Sequence, residues 1–268
     1  MRDLLKSFFN ERKIEFYSVV PYSAVRETRQ DIISRESFTP RSVIMYLLPY
    51  YVSSGENLSA YATSLDYHII LRKTADELIE LMREKRADVG AKGYGDHSPI
   101  DERHAALISG LGILGDSGLL INPKYGTYVF IGDVVTDIPP EELGASALRE
   151  IERCMGCGKC KRACPTGILR GEGDDCLSAI TQKKGELSEG EISLMKKYNT
   201  VWGCDICQSV CPYNDSPAVT PIDFFREERI IRLDGDTLRG LSRADFMKRA
   251  FAWRGRKTVE RNLDLLGF

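Results

Sequence analysis

All eight cysteines of this chain fall between positions 154 and 211. They read Cys154-x2-Cys157-x2-Cys160-x3-Cys164-Pro165, then Cys176, then Cys204-x2-Cys207-x3-Cys211-Pro212. A cubane iron–sulfur cluster needs four thiolates converging on its corners. A C-x2-C-x2-C loop supplies three of them, while the cysteine before the proline reaches a second cluster. On that logic Cys154, Cys157, Cys160 and Cys211 hold one [4Fe–4S] cluster. Cys164, Cys204 and Cys207 hold three corners of another. The second run lacks a middle cysteine, because Gln208 stands there. Cys176 is then the fourth ligand, supplied from a separate segment.

Other uses of cysteine fit less well. Disulfides suit an oxidising compartment, and the chain opens Met-Arg-Asp-Leu-Leu without the apolar core of a signal segment. A tetrahedral zinc site uses paired C-x2-C units rather than CxxCxxCxxxCP. Unrelated buried thiols would not cluster in this way. A chain of 268 residues, 43% hydrophobic and 28% charged, has the composition of a water-soluble globular protein of one large or two ordinary domains. No apolar run approaches the length of a membrane span, so the expectation is a cytoplasmic protein with no membrane partner. The net charge of −2 conceals a local excess. Residues 239–261 carry eight basic side chains against Asp245 and Glu260. A solvated helix face or a phosphate-facing surface would each account for it.

Residues 1–150 hold no cysteine and read as mixed α/β. Leu4–Lys13 reads as a helix. Ser42–Leu48, an apolar run bounded by Pro40 and Pro49, reads as a buried strand. His68–Lys85 has the spacing of a long amphipathic helix, and Glu102–Gly110 that of another. Leu119–Ile121 and Tyr128–Val135 read as strands joined in a hairpin around Tyr125-Gly126. Pro139-Pro140 marks a boundary. The expected organisation is an α/β domain over 1–150, a two-cluster domain over 151–215, and short helices over 216–268, with Ser242 an N-cap before 244–251.

Several further segments, in order, resemble one family. They are Tyr61-Ala62, Asp66-Tyr67-His68, Asp96-His-Ser-Pro99 with Glu102-Arg103, Gly110-Leu-Gly112 with Gly115, and Leu120-Ile-Asn-Pro-Lys-Tyr-Gly126. Then come Gly132-Asp-Val-Val-Thr136, Cys164-Pro-Thr-Gly167, Cys176-Leu-Ser178, Gly203-Cys-Asp-Ile-Cys-Gln208, Leu241-Ser242, Phe246 and Arg261-Asn262. Over most of residues 40–268 the chain resembles epoxyqueuosine reductase, the cobalamin-dependent iron–sulfur enzyme of the last step of queuosine synthesis in tRNA. The resemblance implies an α/β, nitroreductase-like cobalamin-binding domain followed by a ferredoxin-like domain with two [4Fe–4S] clusters. It implies reductive removal of an epoxide oxygen, with electrons passing from an external low-potential donor through the clusters to the corrinoid. Asp96 stands at the family's acid position, with Arg103 at the family's spacing. Tyr61, Leu120, Ile131 and Leu177 are similar to its corrin-lining residues, and Lys184 to a substrate-binding lysine. The chain has no Asp-x-His-x-x-Gly signature, so cobalt is expected to carry no protein histidine.

Opening a strained C–O bond builds alkoxide charge that a nearby protonated acid can discharge. A carboxyl pressed against an apolar corrin face keeps its proton more tightly. The residues also admit plainer roles. Asp96 lies in turn-rich Gly95-Asp-His-Ser-Pro and suits an Asx-turn or an N-cap. Arg103 suits a surface ion pair, and His68, at a helix start, a capping or core role. His97, beside Asp96, is placed to touch substrate. Two departures stand out. Gly115-Asp116-Ser117 replaces the family's usual Gly-Lys-Asn, reversing a charge. The chain stops at Phe268, before the family's C-terminal helical-repeat domain, so the expectation is either a substrate other than tRNA or a tRNA held by Lys184 and the basic stretch. Two other functions stay open: an electron-transfer protein serving a corrinoid partner, and a corrinoid reductase with another substrate, as in the related reductive dehalogenases.

Overall fold

The computed structural model describes residues 1–268. The chain forms two compact units, Met1–Pro49 with His68–Met155, and Tyr50–Tyr67 with Gly156–Phe268. The sequence boundaries fall elsewhere. Residues 50–67 pack with the cysteine-bearing unit, and residues 216–268 form part of that unit instead of a separate segment.

The first unit is built on a four-stranded antiparallel sheet. Its strands are β1 (Tyr17–Pro21), β2 (Ser42–Pro49), β3 (Ala91–Tyr94) and β6 (Val129–Thr136), in the order β1-β2-β6-β3. All eight residues of β2 are buried. A strand covered on both faces needs an unbroken apolar run, which is what the sequence supplies. Successive side chains alternate between faces. Val43, Met45, Leu47 and Val135 join a core with Ala105, Ala106 and Leu107 of the helix Glu102–Ile108, packing beside Ile131. On the other face Tyr46 donates to the Leu71 carbonyl at 3.1 Å, and its ring lies over Gly132, the residue opposite it in β6. A Cβ at Gly132 would meet that ring at 2.4 Å, so only glycine leaves room. The amphipathic helices Arg2–Glu11 and Tyr67–Lys85 bury Phe8, Phe9, Leu71, Leu78 and Met82, and Phe9 stacks on Tyr17 at 4.4 Å between centroids.

The expected hairpin between residues 119 and 135 does not form. Leu120–Ile121 (β5) pairs with Ile113–Leu114 (β4), while β6 pairs with β2 and β3. Between β5 and β6, Asn122 and Gly126 close a local loop. Asn122 caps that loop by accepting the Lys124 and Tyr125 N–H groups, so the tight turn joins no strand pair.

The second unit packs short helices around Trp202, Phe225, Leu233, Leu238, Phe246, Phe251 and Val259. Two buried asparagines tie distant segments together through backbone groups. Asn57 bonds both the N–H and the carbonyl of Leu233. Asn262, in the helix Arg256–Leu266, donates to the Thr181 and Val201 carbonyls at 2.7 and 2.8 Å. Buried amides with every bond made stabilise such an irregular fold, because breaking them strands polar groups. Ser242 caps its helix as expected, but that helix is short, Arg243–Met247. No helix is long and apolar enough to cross a membrane.

Candidate active site and cluster cysteines

The loop after β3 carries Asp96 in a left-handed conformation, φ +58°, which aspartate tolerates better than most residues. It is not the N-cap. Asp101 caps the helix Glu102–Ile108 by accepting the His104 N–H at 2.9 Å. Asp96 keeps its side chain 56% exposed. Its N–H donates to Glu102 Oε1 at 3.0 Å, and its carboxylate lies 3.6 Å from His68 Nε2. Asp96, His97, Ser98, Glu102 and Arg103 help to line a cavity of about 380 Å³. Arg103 Nη1 donates to the Gly118 carbonyl at 2.6 Å, so no acid holds it in an ion pair. Its hydrogen bond fixes the Gly115–Gly118 turn beside the cavity wall.

Beneath Asp96 lies a feature that sequence reading missed. Asp133, in the centre of β6, is fully buried. Its Oδ2 accepts from Ser98 Oγ at 3.0 Å, and the Glu102 carboxyl adjoins it. Burial pushes both carboxyls up, and the charge of Asp133 pushes Glu102 further. The signal was present in the sequence: an aspartate inside the apolar run Val129–Thr136 is almost never left unpaired.

The cysteines divide by unit. Cys154 ends the first unit's last segment, and its sulfur accepts the Asp116 N–H at 3.3 Å. The residue that reverses the family's usual charge thus offers a backbone donor to a thiolate. The other seven belong to the second unit. Cys164 is buried, which would raise its thiol. N–H groups of Leu169, Thr166 and Gly167, with the Thr166 side chain, outweigh that and bring it below the usual range. Cys204 is pushed up to about 11 and Cys207 to about 12, first by burial and then by neighbouring thiolates, Cys176 among them. Neighbouring half-buried sulfurs that repel one another as anions, with amides aimed at buried Cys164, suit an iron–sulfur cluster, whose cationic irons would relieve the repulsion.

The loop 203–208 is wired in place. Gly203 has φ +80°, and a Cβ there would meet Ser59 at 2.4 Å. Its N–H donates to Thr181 Oγ1 at 3.0 Å. Asp205 accepts from the Ala60 N–H at 2.6 Å, from Ser59 Oγ and from Gln208 Nε2. Burial raises Asp205 and these donors oppose it. Gln208, which replaces a cysteine of the simple pattern, is a buried strut that also accepts from the Tyr50 hydroxyl.

Of the four residues expected to line a corrin, Tyr61 and Ile131 keep exposed surface, and Trp202 Nε1 orients the Tyr61 hydroxyl at 3.0 Å. Leu120 and Leu177 are 4% and 1% exposed and serve their own cores. Lys184 is exposed, whereas Lys183 is committed to Asp175 and Glu191. The basic stretch is partly structural. Arg249 is buried against the Glu228 carbonyl, Arg256 caps the Leu238 and Leu241 carbonyls, and Arg261 caps Lys183 and Gly185. Arg243 and Lys257 remain exposed, and Arg254 stacks on the exposed Trp253 ring at 3.7 Å.

Residues 153–214 match the 4Fe-4S double cluster binding domain. An epoxyqueuosine reductase of Listeria monocytogenes is 36% identical over 213 residues, 74% of this chain and 53% of that protein. The chain belongs to the epoxyqueuosine reductase family. It spans about half the length of the curated relatives it matches. Two solved structures share the fold over 98% of the chain. One is an epoxyqueuosine reductase with an epoxyqueuosine-modified tRNA stem loop, at TM-score 0.78 and 22% identity over 80% of that chain. The other is from Bacillus subtilis, with a catalytic aspartate loop swung out of the active site, at TM-score 0.76 and 23% identity over 81% of that chain.

Proposed function

We propose that this protein is a cobalamin-dependent iron–sulfur reductase that removes the epoxide oxygen of an epoxyqueuosine-type nucleoside in RNA. The observation that carries the reading is Asp96: a carboxyl set on a left-handed turn at a cavity, in a family of which one member has a catalytic aspartate loop. Eight cysteines would hold two [4Fe–4S] clusters, Cys154, Cys157, Cys160 and Cys211 on one, and Cys164, Cys176, Cys204 and Cys207 on the other. Cobalamin, if bound, would supply the reducing chemistry for the epoxide, and Tyr61 and Ile131 are residues that would hold it.

This chain's own residues then have defined tasks. Asp96 holds a proton on its carboxyl and delivers it to the oxygen released when the C–O bond opens. Arg103 holds the Gly115–Gly118 turn that borders the site. Lys184, Arg243, Arg254 and Lys257 meet phosphates, and Trp253 offers a face on which a base can stack. A relative has been solved with a tRNA stem loop, which supports an RNA substrate.

The test is anaerobic reconstitution with iron, sulfide and cobalamin, followed by assay on an epoxyqueuosine stem loop with a low-potential reductant. Conversion to queuosine, weakened steeply by salt because each phosphate contact releases counterions, is the expected result. Absence of both corrinoid binding and turnover would instead support a two-cluster electron-transfer protein. The sealed Leu120 and Leu177 favour that second reading.

A further inference from the structure

The acid pair behind Asp96 has no role in the chemistry above, yet it is expensive to bury. Asp133 is 0% exposed, and its Oδ1 is enclosed with no N–H or O–H donor in reach. Glu102, the neighbouring carboxyl, is the first residue of its helix and turns one oxygen to the Asp96 N–H. Ionised carboxylates only accept hydrogen bonds. Two of them can adjoin in a site shielded from water only if one keeps a proton and donates it to the other.

The two cations at the cavity are spent elsewhere, Arg29 on Asp31 and Arg103 on the Gly118 carbonyl. Burial is the first influence on each acid. The others are the two acids themselves, Asp96 and the Ser98 hydroxyl. Tyr22, Tyr46 and Tyr94 face Asp133 from their own elements and stay neutral, because burial raises all three hydroxyls. His68 Nε2 lies 3.6 Å from Asp96. Without a cation, the pair's stable state is one proton and one negative charge. The fully enclosed Asp133, which also accepts from Ser98, is the natural place for the charge. The less enclosed Glu102 then carries the proton.

We propose that Glu102 and Asp133 share one proton, and that the neutral Glu102 so formed is the positioning residue for the Asp96 turn. Glu102 donates to the orphaned Asp133 oxygen and with its other oxygen accepts the Asp96 N–H. That contact steadies a residue held at φ +58°. Loss of the shared proton places two charges in the same enclosure, expels Glu102, and releases the turn. The proposal rests on the reading of Asp96 as the acid, and its physical core is testable without turnover.

The experiment uses the full chain with its cofactors loaded. An infrared pH titration of wild type, Glu102→Gln and Asp133→Asn follows the protonated-carboxyl C=O band. Amide exchange across residues 95–98 is measured alongside, with Glu102→Ala added. With the Asp96 proton removed by recording every spectrum in an Asp96→Asn background, the pair of the otherwise wild-type chain is expected to keep one protonated carboxyl through neutral pH. That band is missing from Glu102→Gln and titrates at lower pH in Asp133→Asn. Exchange at Asp96 rises about fivefold or more in Glu102→Ala, the factor for losing one hydrogen bond, and returns close to wild type in Glu102→Gln, whose amide oxygen still accepts. No such band at neutral pH in the otherwise wild-type chain, or a band unchanged in Glu102→Gln, overturns the shared proton. Equal exchange in all variants overturns the positioning role. A pair that passes both tests, in a protein whose wild type fails to reduce the RNA epoxide, removes the assigned reaction and leaves the pair standing.

Discussion

Asp133, fully buried in the first unit, and Asp205, half-buried in the second, are both removed from water to a degree, and the chain treats them in opposite ways. Asp205 receives three donors, from Ala60, Ser59 and Gln208. Asp133 receives one hydroxyl and a second carboxyl. Burial raises both, but the donor supply differs. Donors aimed at a carboxylate favour its charge, whereas another acid favours a retained proton. The first arrangement builds a rigid frame for a cysteine loop. The second builds a site that responds to protons. The same residue type thus becomes a strut or a titrating group according to its neighbours.

The largest expected effect lies on the strut side. If the second unit's wiring presents sulfurs to a cluster, Cys176→Ala loses that cluster and spares the other. Iron then falls from about eight to about four atoms per chain. Unchanged iron and an unchanged visible spectrum would contradict the ligand set. Next, Asp205→Ala strands three donors and should cost roughly 2–4 kcal/mol in a denaturant titration. A loss below about 0.5 kcal/mol would mean that the two acids differ less than their donors suggest.

The proton-retaining side makes a prediction of sign. Glu102 and Asp133 bind protons more tightly folded than unfolded, so folding takes up protons. Their contribution is fully present below the ordinary carboxylate range and declines as pH rises through the raised folded values. Stability should therefore fall from about pH 5 to about pH 9. Glu102→Gln should flatten that slope by roughly 1–3 kcal/mol, with the partial exposure of Glu102 favouring the lower figure. A slope unchanged in Glu102→Gln would assign it elsewhere. The smallest effect belongs to an acid at the surface. Glu191 is held below the usual carboxylate range, first by Lys183 and then by the Ser188 N–H in a capping box. Ser188→Ala should cost about 1 kcal/mol in thermal unfolding.

The parts legible in the sequence were those governed by local pattern. The run Ser42–Leu48 gave its strand, the spacing of 68–85 its helix, and the cysteine intervals the double-cluster motif. Strands β1 and β3 were not legible. Ala91-Lys-Gly-Tyr94 has no strand signature, and pairs only because β6 offers an edge and Gly93 lets the sheet approach Ala75 closely. The hairpin expected around Tyr125-Gly126 failed because turn chemistry was read as strand pairing, while Asn122 was closing a loop on itself. The basic stretch misled through composition. Arg249, Arg256 and Arg261 lie among cations in sequence but spend their guanidinium groups on internal carbonyls, a fact set by tertiary contacts. Asp96 was legible as a position and not as a geometry. Its left-handed turn and its tie to Glu102 depend on a helix that begins six residues later.

The most direct trial of the assigned chemistry compares wild type with Asp96→Asn, both loaded with clusters and cobalamin, in anaerobic reduction of an epoxyqueuosine stem loop. The amide keeps the shape of the acid and cannot deliver its proton. Cofactor content should stay equal while turnover falls by about 100- to 10,000-fold. Turnover within a few-fold of wild type would contradict Asp96 as the proton donor.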